Sequence, residues 1–208
     1  MQLNGLTGII YKTGVWTIRL FYTNLLWIVF TLLGLGVFGL MPATVSLFAV
    51  LRQWIIKKED FPIFKNFLYY YRKEFIKSNL FGLLFLVVGF IIRVDIIFLK
   101  ESSTLFLQIL SGVMLCIGLL FFIILLYFFP VYVHFDISFT QHLKYALIIG
   151  VSQVSSTIIM VLGLALVFCL YWYISGLIPL FFMSLFSLNL MWFGYRSFVK
   201  IEYEQQQV

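Results

Sequence analysis

At 208 residues, with 63% hydrophobic and only 11% charged side chains and a mean hydropathy of +1.07, the chain falls far short of the roughly one quarter of charged residues found in soluble domains. That excludes a water-soluble globular class and leaves room for one membrane-embedded helical bundle of five or six spans. The net charge of +6 sits at the predicted span ends, so anionic lipid headgroups are its expected partner and nucleic acid is not.

Met1 to Gly14 shows no basic-then-apolar pattern ending in small residues, so the first span is expected to act as its own insertion signal. Residues 19–40 form that first predicted span. A glycine-rich hinge follows, Gly34, Gly36 and Gly39, and then Pro42, which fits the first turn of a new helix. The new helix, 42–56, is short for a hydrocarbon core of about 30 Å. It either crosses with tilt, Arg52 snorkelling to the interface, or enters and leaves on one side as a re-entrant hairpin.

Seven of the 14 basic residues lie between Arg52 and Lys77: Arg52, Lys57, Lys58, Lys65, Arg72, Lys73 and Lys77. Basic loops stay in the cytoplasm, so this segment fixes the expected orientation, with both termini cytoplasmic. Within it, residues 60–77 read as one amphipathic helix, capped by Asp60 with Pro62 in the first turn. Phe61, Phe64, Leu68, Tyr71 and Phe75 recur at helical spacing, while Lys65, Arg72 and Lys73 fall mostly elsewhere. This is the pattern of a helix lying among headgroups, and it also suits docking of a partner.

The third span is expected over 78–99. Its late Arg93 and Asp95 read as interfacial anchors, because Arg93 lies about 22 Å along the helix from Ser78. The fourth, 105–129, ends or kinks at Pro130. Tyr132, His134, Asp136 and His142 follow in a loop whose spacing suits no metal. From Tyr145 to Tyr195 no side chain is charged, so two spans run in succession, 145–170 and 177–195. The inner part of the fifth is small and polar: Gly150, Ser152, Gln153 and Ser156 read as a close helix-packing face, with Gln153 suited to a hydrogen bond across helices. Tyr171, Trp172 and Tyr173 form an aromatic belt at the outer turn. Cys116 and Cys169 fall inside predicted spans and are expected as buried, unpaired thiols.

The fold class is therefore all-α: a polytopic transmembrane bundle forming a single domain over 1–208, with five full spans, one short spanning or re-entrant helix, and one cytoplasmic interfacial helix. No nucleophile, base or metal set assembles, so no enzyme, cofactor or metal is expected.

Several strings together resemble the YesL-like family of small bacterial membrane proteins. They are Asn24-Leu25-Leu26-Trp27, Gly34 to Gly39 with Pro42-Ala43-Thr44, Arg52-Gln53-Trp54, Phe61 to Phe67, Phe75 to Ser78, Phe129-Pro130 and Leu143 to Ala146. The resemblance covers nearly the whole chain and is most specific in the first 80 residues. It implies a bacterial cell membrane, a setting beside carbohydrate-uptake genes, and no catalytic residues. Two functions follow as expectations. One is an accessory or regulatory protein bound to a sugar transporter complex or another membrane protein. The other is a small transporter or channel acting as a homo-oligomer.

Overall fold

A computed structural model describes residues 6–56, 61–100 and 104–206. Its helices are α1 (Leu6–Leu33), α2 (Val37–Ile56), α3 (Ile63–Lys73), α4 (Phe75–Lys100), α5 (Leu105–His134), α6 (Phe139–Ser152), α7 (Val154–Tyr173) and α8 (Ile178–Gln206), with a 3-10 turn at Ser175–Leu177 before α8. Among the described residues there is no strand. Six helices are long and apolar enough to cross a bilayer: α1, α2, α4, α5, α7 and α8. The protein is thus an all-α, multi-pass membrane bundle.

The first reversal comes earlier than the sequence suggests. The first helix was expected to reach residue 40, yet α1 stops at Leu33 because Leu35 (φ 59°) and Gly36 (φ 74°) adopt left-handed backbone, which ends a helix. The two arms of the hairpin then touch. A Cβ on Gly34 would meet the Gly39 backbone and lie 2.6 Å from the Tyr71 hydroxyl, and a Cβ on Gly39 would meet the Thr31 carbonyl.

Pro42 therefore lies inside α2 rather than in its first turn. Proline has no N–H, so the carbonyl four residues back, Phe38, loses its intrahelical donor. Asn79 of α4 replaces it, its Nδ2 donating to Phe38 O at 2.9 Å. In lipid, where water cannot serve a freed carbonyl, such a substitute donor makes an internal proline tolerable.

α2 is the hub. It packs against α1, α3, α4, α5 and α8, and Ala43, Leu47, Phe48, Val50 and Leu51 are fully buried. Its 20 residues extend about 30 Å, so the shortness expected of 42–56 disappears once the helix begins at Val37. Lipid tails are as apolar as leucine, so packing and hydrogen bonds hold these helices together, rather than exclusion from water. Phe48 stacks on Phe129 of α5 at 5.1 Å, and Trp27 of α1 donates to Thr44 at 3.0 Å. Buried Asn24 ties α1 to α8, donating to Pro179 O at 3.0 Å and accepting from the Met183 and Ser184 amides at 3.0 and 3.3 Å. A second cluster, Phe81, Phe85 and Phe128, joins α4 to α5.

Three further boundaries differ from expectation. α5 runs through Pro130 to His134, and Pro130 packs against Gly194 of α8, where a Cβ would come within 2.8 Å. The segment 145–170 is not one helix, because Gln153 (φ −105°, ψ 56°) separates α6 from α7. Thr157 repairs that break: its Oγ1 donates to Gly150 O at 2.9 Å and meets the Tyr127 hydroxyl of α5 at 3.0 Å. The interfacial helix occupies Ile63–Lys73 only. Glu74 turns the chain into α4, which takes residues 75–77, and the Asp60 cap lies outside the described residues. The two cysteines are free but exposed on the outer surface of the bundle, not buried.

Candidate functional site

Where α2, α3 and the end of α5 converge, the surface opens into a polar cavity of about 270 Å³. Val45, Ala49 and Arg52 follow one another at i, i+4 and i+7, so they share one face of α2. Two small side chains form the floor, and a guanidinium closes one end. Tyr70 and Lys73, three apart on α3, and the adjacent Glu74 make one wall; Tyr132, Val133, His134, Phe135 and Asp136 make the other.

Hydrogen bonds fix most of this lining. The Tyr132 hydroxyl donates to Glu74 Oε2 at 2.6 Å, a short bond of the kind expected to a carboxylate. Lys73 Nζ lies 4.0 Å from Glu74 Oε1, so this acid faces both a phenol and an ammonium. Gln53 donates to the Tyr70 hydroxyl at 3.1 Å, which leaves the phenol's own proton available to the cavity. Arg52 Nε donates to His134 Nδ1 at 3.4 Å. An accepting Nδ1 places the ring proton on Nε2, so His134 props the guanidinium without adding charge. His134 is itself held by Phe135 and Phe198, at 4.7 and 4.9 Å.

α3 connects this cavity to the hub. Its buried edge carries Phe67 and Tyr71, and the Tyr71 hydroxyl donates to Phe30 O at 3.0 Å, next to the Gly34 turn. Burial raises the Tyr71 phenol above its ordinary value. Phe61 stacks on Trp54 at 5.7 Å, and Phe64 is half-exposed beside Phe30. Lys65, Arg72 and Lys73 face outward. Of the interfacial residues named from sequence, the structure thus divides Phe61, Phe64 and Tyr71 from the three cations, and only Lys73 reaches the cavity. Gly34, Gly36, Gly39 and Pro42 gather at the α1–α2 turn, beneath the end of α3.

The polar stretch of the fifth segment lies elsewhere. Gly150 packs against Ile123 and Tyr127 of α5. Ser152 turns back to its own helix, donating to Ile149 O at 3.3 Å. Gln153 is buried at the break, Ser156 is half-buried, and the cross-helix hydrogen bond at this level belongs to Thr157. His142 lies against Tyr132 at 4.8 Å with its Nδ1 2.9 Å from Ser138 O, apart from His134. Among the described residues no group of three His, Cys, Asp or Glu is placed to hold a metal.

Sequence reasoning read Arg52 as a snorkelling anchor and missed Tyr70 and Glu74 as site residues. Glu74 did carry a signal. It is the single acid between Asp60 and Asp95, set within a basic run, and a lone acid there invites a specific partner.

A family model described as "Protein of unknown function, DUF624" matches residues 20–96. Over 202 residues the chain is 40% identical to the "Uncharacterized protein YteU" of Bacillus subtilis (strain 168), covering 97% of this chain and 90% of that protein. It is 36% identical to "Uncharacterized protein YesV" over 190 residues, 91% of each chain. It is 33% identical to "Uncharacterized protein YesL" over 192 residues, 92% of this chain and 90% of the relative, both from the same organism. No solved structure matches.

Proposed function

This chain belongs to the DUF624 family, and from that premise we propose that it is an accessory or regulatory component of a larger assembly in the bacterial cell membrane, associated with carbohydrate uptake. The carbohydrate setting comes from the resemblance to the YesL-like family. The structural support is α3, which turns its buried edge to the hub helix and its cations, Lys65 and Arg72, to the surface. A partner touching that surface would act on α1 through Phe67 and Tyr71, which both meet Phe30, and on α2 through the Gln53–Tyr70 bond. In this reading α3 lies on the cytoplasmic side with both termini, and the protein performs no catalysis.

The interior favours this over a conduit. The fully buried side chains at its centre are bulky and apolar, among them Phe48, Phe128, Leu47 and Met191, and the polar cavity beside α2 ends on Val45 and Ala49. A second reading, a small homo-oligomeric transporter, draws on one observation, the helix break at Gln153, since transporters place broken helices around their sites.

Purification from native membranes in mild detergent separates the two. A sugar-transporter subunit recovered in fixed ratio, and lost when Lys65 and Arg72 are both changed to Glu, supports the accessory role. Recovery of this chain alone as a defined oligomer with sugar flux in proteoliposomes sinks it.

A further inference from the structure

We propose that the cavity between α2, α3 and the end of α5 is a binding site for a small anion carrying a carboxylate or phosphate group, held by Arg52 with Tyr70 and Lys73. This goes beyond the accessory reading and stands without it. Among the described residues no carboxylate lies within ion-pair distance of Arg52. Its Nε edge is engaged by a neutral ring acceptor, so among the described residues no ion pair neutralises its charge. The Nη1/Nη2 end of the fork remains for a bidentate partner, the geometry that carboxylates and phosphates match. A half-buried cation on a low-dielectric floor of Val45 and Ala49 favours such a partner more strongly than one in open water.

The neighbours point the same way. Tyr70 accepts from Gln53 and so has its proton to give. Glu74, the acid in the same wall, is engaged by the Tyr132 hydroxyl at 2.6 Å and makes no ion pair with Arg52. Asp136 is exposed at the rim. The volume of about 270 Å³ equals roughly nine waters at about 30 Å³ each, which admits an anionic group with a short body attached. That chemistry is shared by a soluble metabolite and by an anionic lipid headgroup.

The test uses the full-length protein, first in maltoside detergent with inorganic phosphate or acetate against chloride of equal ionic strength, then in phosphatidylcholine nanodiscs with and without phosphatidylglycerol. Thermal unfolding is read for the native protein and for Arg52→Gln, Tyr70→Phe and Arg72→Gln. The expected result is saturable stabilisation by phosphate or acetate, abolished in Arg52→Gln, weakened several-fold in Tyr70→Phe and unchanged in Arg72→Gln. Stabilisation confined to phosphatidylglycerol nanodiscs, with the same dependence on Arg52, identifies the headgroup as the source. An anion response absent throughout, or equally reduced by Arg72→Gln, overturns the site. Tyr70→Phe keeps the ring and its packing, so its comparison with Arg72→Gln decides the matter even if Arg52→Gln fails to fold.

Discussion

Replacing Asn79 by Ala tests whether α4 serves the hub helix at the point where Pro42 weakens it. Phe38 O has no N–H from position 42, and Asn79 Nδ2 supplies the missing donor at 2.9 Å. Cross-helix hydrogen bonds in membranes average about 0.6 kcal/mol and reach about 1.7. The freed carbonyl has no helical alternative, so Asn79→Ala should cost about 1 kcal/mol. Pro42→Ala restores an N–H to Phe38 O, and in that background the loss should fall below about half. The same Nδ2 also donates to Phe75 O at 2.8 Å, but this bond exists in both backgrounds and cancels in the cycle. Unfolding by dodecyl sulfate in mixed micelles, followed by the fluorescence of the five tryptophans, yields the four stabilities. A coupling of roughly 0.5–1 kcal/mol is expected. Additivity within about 0.3 kcal/mol would show that Asn79 does not replace the proline's missing donor.

At the α1–α2 turn, Gly36→Ala should cost about 1–2 kcal/mol for its left-handed backbone alone, because a Cβ there meets nothing within 4 Å. Gly34→Ala should cost more, since its Cβ would enter the Gly39 backbone; equal melting points for the two variants would contradict this packing. Tyr71 titrates above its ordinary value because burial disfavours the phenolate. The folded state therefore holds that proton longer than the unfolded chain does, and stability should fall as pH rises past about 10. Tyr71→Phe should flatten that decline, and an unchanged slope would place the phenol in water. A cysteine at position 72 should react with an impermeant maleimide in permeabilised cells and not in intact ones; labelling of intact cells would reverse the orientation.

The membrane spans were legible because uncharged runs of the right length have few other uses, and the glycine-rich reversal after α1 was legible as a hinge. Its position was not, because the turn depends on Leu35 accepting left-handed backbone, which no propensity favours. The break at Gln153 also escaped the sequence. No proline marks it, and it persists because Thr157 and Tyr127 serve the opened backbone from outside the local segment. The cavity was the least legible part. Arg52, Tyr70, Glu74, Tyr132 and His134 come from three separate stretches with no spacing in common. Only the packing of α3 and α5 along one face of α2 assembles them.

The central claim, that α3 presents its outer surface to a partner, is tested most directly by a photo-crosslinking residue placed at position 72 in native membranes. The account predicts a covalent adduct with a subunit of a sugar-uptake complex, absent when the same probe replaces Leu166, exposed on α7. Crosslinks only to lipid, or only to a second copy of this chain, would contradict it.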